Sequence, residues 1–275
     1  MFRRLNRNLN NFKNDILKQN IRGHFVSRSL SKHTLVLLVL SITSLTMGCI
    51  MTYTYYNLYE TLISYSDSTT IPIYFPQSTM YFYIQIDDFY QTNLKYSKSI
   101  SYNQLKGDRE TNSNVTDPLS SRRGKVYYPA GILPNTFFQD GFTFSNLNIN
   151  TSNISWNSMR KKIKPSGYDR SEVIPPPLWD RYRNIPNLSD NERFINWIYT
   201  SPFYNFRKLW GTINVREAGV YNLEIDSKYP YGNKKVFFSQ MSWAGTKNYF
   251  LSIALITMGI IGLLFTYLLY RKVLD

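Results

Sequence analysis

Cysteine and histidine are almost missing from this chain. It holds one cysteine, Cys49, and two histidines, His24 and His33. All three precede residue 60, so the long segment beyond them can form no internal disulfide. It can hold no Ser-His-Asp or Cys-His pair and no histidine or thiolate metal site. Domains of oxidising compartments commonly rely on disulfides, but a segment of this length can bury enough apolar surface to fold without one. The second absence is of charge. From Thr34 to Tyr59, and again from Asn248 to Tyr270, there is no Asp, Glu, Lys or Arg. With a helical rise of about 1.5 Å per residue, each run exceeds the ~30 Å hydrocarbon core of a bilayer. Both runs are expected to span a membrane as helices.

The flanks give an orientation, because Lys and Arg beside a span stay on the cytosolic side. Residues 1–33 carry Arg3, Arg4, Arg7, Lys13, Lys18, Arg22, Arg28 and Lys32 against Asp15 alone. Beyond the first run the chain opens with Glu60 and Asp67, and the second run ends in Arg271 and Lys272. The expected division is a cytosolic basic tail (1–33), a first span (34–59), a lumenal or extracellular domain (60–247), a second span (248–270) and a short cytosolic tail (271–275). A cleaved signal peptide is not expected, since the first apolar run is too long and lacks a small-residue cleavage site. A lipid-anchor signal is not expected either, because basic residues follow the second run. About half of the formal net charge of +14 lies in residues 1–33. That suits attraction to anionic lipid, at about 1 kcal/mol per basic residue, or a plain topology signal. It does not indicate nucleic acid.

Periodicity makes the domain between the spans β-rich, an antiparallel sheet or sandwich-like body with one short helix and long loops. Met80, Phe82, Ile84 and Ile86 alternate with Tyr81, Tyr83 and Gln85, as in a half-buried strand. Ile213 and Val215, then Tyr221, Leu223 and Ile225, then Val236–Phe238 suggest three more strands. The turn residues between them predict a meander. Ser189 and Glu192 have capping-box spacing ahead of Phe194, Trp197 and Ile198, which predicts a helix ending near Pro202. Residues 107–123 and 146–190 read as loops, with Trp179 after Pro175-Pro176-Pro177 expected to pack against the sheet. Asn114, Asn150, Asn153 and Asn187 each begin an Asn-X-Ser/Thr triplet, making them candidate glycosylation sites.

Catalytic chemistry is not expected. Asp87 and Asp88 are adjacent, but neighbours on a strand face opposite ways, so they suit ending a strand and bonding a loop. A glycosidase could work with carboxylates alone, yet Asp169, Glu172, Asp180, Asp190 and Glu192 form no recognisable constellation. No phosphate loop, metal spacing or cofactor motif is present.

Four segments, in order, resemble the family named after cell cycle control protein 50 and ligand-effect modulator. The stretch from Met80 through Asp87-Asp88-Phe89-Tyr90-Gln91 to Gln104-Leu105-Lys106-Gly107 is similar to its aromatic strand, Leu-Asp-Asn-Phe-Tyr-Gln-Asn-His and Gln-Leu-Gly segment. Pro129-Ala130-Gly131, with Asn135-Thr136 and Asp140, resembles its Pro-Cys-Gly stretch. Phe194-Ile195 and Trp197, then Phe206-Arg207-Lys208-Leu209-Trp210-Gly211, resemble its Phe-Ile-Val-Trp-Met and Phe-Arg-Lys-Leu-Tyr-Gly signature. Trp243-Ala244-Gly245-Thr246-Lys247-Asn248 resembles its approach to the second span. The chain departs from the pattern where Ala130 replaces a cysteine and Asn93 a histidine. The family's disulfides therefore have no counterpart, a loss that typically costs about 2–5 kcal/mol unless packing compensates.

The resemblance implies a non-catalytic accessory (beta) subunit of a phospholipid flippase. Its partner would be the catalytic subunit of a type IV P-type ATPase, which it would stabilise, help out of the endoplasmic reticulum and support through its cycle. It would act in the endoplasmic reticulum, Golgi, endosomal or plasma membrane and have no substrate or cofactor of its own. A membrane-anchored adhesin or receptor is the alternative. Small residues permit close helix packing in lipid. Ser44, Gly48 and Thr52 line one span, and Ser252, Gly259, Gly262 and Thr266 the other. They suit either docking to a partner's helices or packing of the two spans together. Tyr53, Tyr55, Tyr56, Trp243, Tyr249, Tyr267 and Tyr270 read as interfacial residues. Gly245 suits a close backbone approach, Lys247 the headgroup layer, and Arg207 and Lys208 an acidic partner or solvent.

Overall fold

The computed structural model describes residues 30–111 and 113–274, which fall into two units. One unit is a pair of long helices, α1 (Leu30–Tyr56) and α8 (Tyr249–Leu274). Each contains a segment long and apolar enough to cross a membrane, Lys32–Tyr56 and Tyr249–Arg271. The expected boundaries shift slightly, since α1 begins four residues before Thr34 and α8 runs on past Tyr270. Of the basic tail at 1–33, residues 1–29 lie outside the described residues.

Among its described residues the other unit, Thr54–Asn248, carries eleven strands and six short helices. The strands are β1 (Glu60–Tyr65), β2 (Thr69–Phe75), β3 (Ser78–Asp87), β4 (Ser121–Arg122), β5 (Lys125–Tyr127), β6 (Gly141–Phe144), β7 (Ile149–Asn150), β8 (Val173–Ile174), β9 (Phe206–Val215), β10 (Gly219–Asp226) and β11 (Asn233–Gln240). The helices are α2 (Leu94–Lys98), α3 (Tyr102–Leu105), α4 (Ser113–Thr116), α5 (Ile132–Asn135), α6 (Asn157–Arg160) and α7 (Glu192–Ile198). A five-stranded sheet of order β1-β11-β3-β9-β7 packs against a three-stranded sheet of order β2-β10-β6. A third small sheet, β4-β5-β8, sits among the loops.

Alternation in β3 explains the sandwich. Met80, Phe82, Ile84 and Ile86 are fully buried, while Tyr81, Tyr83 and Gln85 are only half-buried on the other face. The buried set meets a phenylalanine layer contributed by both sheets. Phe82 stacks on Phe238 at 4.8 Å and meets Phe142 edge-on at 5.1 Å, while Phe75 meets Phe238 at 5.1 Å. Burying each such ring contributes about 1.5–3 kcal/mol, so this layer stands in for the missing cross-links.

Two local expectations are corrected. The last three strands do not form a meander: β9 and β11 each pair with β3 in the large sheet, while β10 lies in the small one between β2 and β6. Each connection therefore crosses between sheets. The single expected helix is one of six short ones, and its N-cap is Asn191, whose side chain accepts from the Phe194 N–H at 3.0 Å. Ser189 instead bonds Asn187, and Glu192 is drawn away into a buried bonding role.

Candidate functional site

The motif segments meet around one ring. Phe89 follows β3 and lies 5.6 Å from Tyr96, 6.4 Å from Trp197, 6.3 Å from Phe206 and 6.0 Å from Tyr231, centroid to centroid. Asp87 and Asp88 fix the turn that delivers it. Asp87 pairs with Lys235 at 2.6 Å and accepts from Gln85 at 2.9 Å. Burial by itself would push the Asp87 carboxyl up, but the bonds from Lys235 and Gln85 and the charges of Lys235 and Arg207 hold it below its ordinary value. Asp88 takes a left-handed φ of 59°, accepts from Asn233 at 2.7 Å and donates its N–H to Asn205 at 3.2 Å. The two carboxylates thus have separate structural partners. Gln91 is fully buried and accepts the Ser201 N–H at 2.9 Å, whereas Tyr90 is exposed and stacks on Tyr204 at 5.6 Å.

Helix α7 supplies the opposite wall. Phe194 and Trp197 are fully buried, and the Trp197 indole donates to the Leu133 carbonyl at 3.2 Å. Gly131 leads into α5 with φ of 116°, and a Cβ there would lie 2.2 Å from the Ser99 carbonyl oxygen, so only glycine fits. Trp179 packs against the core on this wall: its indole donates to Pro134 O at 2.8 Å and its ring meets Phe194 at 5.9 Å.

Along β9, Phe206 and Lys208 point into the core while Arg207 and Leu209 face outward opposite Gln85 and Tyr83. Arg207 lies 3.7 Å above the Phe237 ring and donates to Gln85 at 2.7 Å. Lys208 is not on a solvated face. It is buried, donates to the Tyr199 carbonyl at the C-cap of α7, and is pushed down to about 8 by burial. The register slips between Phe82 and Tyr83, leaving Trp210 as the extra residue of a bulge. At Gly211 a Cβ would lie 2.4 Å from Ile149 Cγ2, so β7 depends on this glycine.

In the 242–245 turn, Ser242 and Gly245 exchange backbone bonds of 3.0 Å, and Gly245 has φ of 89°. Nothing lies within 4 Å of where its Cβ would be, so turn conformation and not close approach requires glycine. Trp243 is exposed, Lys247 half-buried and Asn248 exposed. Tyr55 is no lipid-facing belt residue, being fully buried with its hydroxyl donating to Ala244 O at 3.2 Å.

The small residues of the helical unit face the other span. Ser44 Oγ donates to Leu255 O at 2.8 Å. A Cβ at Gly48 would lie 2.7 Å from Ile256, at Gly259 2.8 Å from Leu45, and at Gly262 2.1 Å from Ser41. Ser252 and Thr266 are buried, and Thr52 and Thr266 turn their hydroxyls back onto the carbonyls of Gly48 and Gly262.

Among the acids, Glu192 had no signal of its special place. It accepts from the N–H groups of Asn153, Ile154 and Ser155 at 2.8, 2.7 and 2.8 Å and from Arg160 at 2.8 Å. Burial would raise its carboxyl, but those bonds hold it below its ordinary value. Asp169 and Glu172 pair with Arg109, and Asp180 lies 3.7 Å from Lys228. Among the described residues no group of three or more His, Cys, Asp or Glu could hold a metal ion. Asn114, Asn150, Asn153 and Asn187 are all exposed, although Thr116 of the first triplet is buried and Ser155 of the third bonds Glu192.

A membrane protein whose sequence carries a disulfide-free β-sandwich between two apolar helical segments is the class these features define. The sequence model of the LEM3 (ligand-effect modulator 3) family / CDC50 family matches residues 46–274, and the chain belongs to that family. It is 29% identical over 237 residues to the phospholipid-transporting ATPase accessory subunit LEM3 of Saccharomyces cerevisiae, covering 72% of this chain and 57% of that protein. It is 31% identical over 199 residues to the putative ALA-interacting subunit 2 of Arabidopsis thaliana, covering 66% and 57%. Over 228 residues it is 29% identical to mouse cell cycle control protein 50A, covering 68% and 62%. The chain thus spans under two thirds of the length of these curated relatives.

Proposed function

We propose that this chain is a non-catalytic accessory subunit of a phospholipid-transporting type IV P-type ATPase. Family membership over residues 46–274 carries the reading, because relatives of that family are named as accessory subunits of phospholipid-transporting ATPases. The motif side chains serve this role by construction: Asp87, Phe89, Gln91, Gly131, Trp197 and Phe206 build a rigid body, in which the Asp87 carboxylate, the Gln91 side-chain oxygen and the Trp197 N–H all take internal bonds. Rigidity suits a subunit that braces a larger transporter, since a preorganised surface loses less entropy on binding.

Both termini lie in the cytosol and the sandwich in the lumen or outside the cell, as the basic flanks direct. Because the small residues are engaged between the two spans, the partner's helices meet other faces. Those faces are apolar and exposed, as at Val39 and Leu40 of α1 and Ile260 and Phe265 of α8. Asn114 and Asn187 carry glycans where the host supplies them. Purification in mild detergent tests the assignment: a P-type ATPase should accompany the tagged chain at unit stoichiometry, and isolation of the chain alone would overturn it. Tags at either end should stay inaccessible in intact cells, and a glycosidase shift lost in Asn187→Gln locates one glycan.

A further inference from the structure

A groove of about 590 Å³ lies between α3, α7 and the end of α6. Its surface is mostly apolar, lined by Leu105, Ile163, Ile195 and Ile198 together with the exposed rings of Tyr102 and Tyr199. The exposed Lys106 and Lys162 line it as well, and no carboxylate does. The same sign of charge continues alongside. Lys161 adjoins Lys162, and Lys164 is tied to the Lys106 side of the groove by its N–H, which donates to Leu105 O at 2.7 Å. Segments 100–107 and 156–164 hold five cations and no acid. Only Arg160 is paired, with Glu192; the four lysines form no ion pair among the described residues, not even with Asp108, the next acid along the chain. Residues 60–247 as a whole carry 22 Lys and Arg against 16 Asp and Glu. Four unpaired lysines at one groove therefore concentrate most of that excess.

An apolar floor and a basic rim make different demands, and only a ligand that carries both kinds of group meets them. A polyanion without apolar groups would leave the floor in water, and a neutral apolar group would leave the lysines uncompensated. A flat lipid surface cannot enter a groove. Four lysines spread over two chain segments also exceed what one small anion can reach. We propose that this groove docks a short acidic peptide segment of another protein, in which a bulky apolar residue is flanked on both sides by Asp or Glu. The apolar side chain enters between Tyr102, Tyr199 and the isoleucines, where area can be withdrawn from water. The flanking carboxylates meet Lys106 on one side and Lys162 with its neighbours on the other, fixing register and speeding encounter. This inference stands on the groove alone: peptide binding and co-purification of an ATPase succeed or fail separately.

The test uses the full chain in nanodiscs of phosphatidylcholine, which keep detergent out of the groove, and fluorescence polarisation of a labelled octapeptide with two central leucines between three glutamates on each side. Binding should be saturable and should weaken as salt is raised. Replacing the leucines by serine, or the glutamates by glutamine, should each weaken it at least about tenfold. Lys106→Glu with Lys162→Glu, both at exposed positions, should cause a loss of similar size. Arg122→Glu with Arg216→Glu changes the net charge equally outside the groove and should alter affinity less than about twofold. Absence of saturable binding would overturn the site, as would equal loss in the two charge-reversed variants. Equal binding of the serine peptide would overturn it too, by assigning a general polyanion surface such as one for sulfated glycans. Unfolding temperatures show whether a loss reflects misfolding, in which case the single variant Lys162→Glu decides.

Discussion

Lys234 Nζ lies 2.8 Å from Asp140 Oδ2, with both side chains almost wholly shielded from solvent. Asp140 also accepts from the Tyr65 hydroxyl at 2.8 Å and from the backbone N–H groups of Lys228 and Tyr229 at 2.6 and 2.5 Å. One carboxylate therefore joins β1, β11 and the β10–β11 connection across the sandwich. Its bonding capacity is filled, which is the condition under which a buried charge is tolerated.

Asp140→Ala should destabilise the domain by about 3–5 kcal/mol, because it strands the Lys234 ammonium in the interior. The paired replacement Asp140→Leu with Lys234→Met should recover only part of that loss, because the Tyr65 hydroxyl and the Lys228 and Tyr229 N–H groups still lose their acceptor. Chemical denaturation of the full chain in detergent reads both. A single variant within about 1 kcal/mol of wild type would show that Lys234 reaches water by another route.

Reductant should leave unfolding untouched. The only cysteine, Cys49, lies in α1, so the sandwich holds no cross-link to break. Scans with and without dithiothreitol should superimpose. A lowered unfolding temperature would reveal a bridge between chains through Cys49.

How much of this was visible beforehand depends on range. The β3 alternation at Met80–Ile86 is a local signal and was readable, as were both apolar helices. The crossing of β9, β10 and β11 between sheets was not, because periodicity states which face is buried but never which strand is the neighbour. Strands β1 and β2 gave no clear pattern, since Glu60, Ser64 and Pro72 interrupt their apolar residues. At the site, the motif around Asp87–Gln91 was recognisable, but the inward turn of Lys208 contradicts its composition, and the bonds of Glu192 come from a loop 32–39 residues away in sequence.

Lys208 gives the domain a pH dependence in the alkaline range. Its ammonium is pushed from 10.5 down to about 8 by burial, so between these values the unfolded chain binds more protons than the folded one. Stability then rises with pH from about 8 toward 10 as the buried cost is relieved. The phenols of Tyr96, Tyr128 and Tyr182, each raised by burial to about 12, act in the opposite sense only above pH 10. Lys208→Met should flatten the rise and increase stability at pH 7 by about 1–3 kcal/mol. The check is denaturant midpoints at pH 7, 8 and 9.5; an unchanged rise in the variant would assign it to another group.

The span pair should depend on glycine where the helices touch. At Gly259 a Cβ would lie 2.8–3.0 Å from Leu45 Cβ, N and Cα, contacts that include backbone and cannot rotate away. At Gly48 it would come within 3.0 Å of the Ile256 nitrogen and the Ser252 carbonyl. A Cβ at Gly262 lies 3.1 Å from Ser41 Cβ, just short of the ~3.5–4.5 Å of a disulfide, so a bridge between these positions needs only a small parting of the helices. In a Cys49→Ser background, Ser41→Cys with Gly262→Cys should therefore oxidise readily, and adding Gly259→Leu should suppress that cross-link by separating the helices. Ser44→Ala, which removes only the bond to Leu255 O, should weaken the pair by about 0.6 kcal/mol and leave the cross-link in place. Failure of the Ser41→Cys, Gly262→Cys pair to oxidise would mean that the spans associate through another face, whereas persistence of the cross-link in Gly259→Leu would mean that the contact absorbs the larger side chain and does not depend on glycine there.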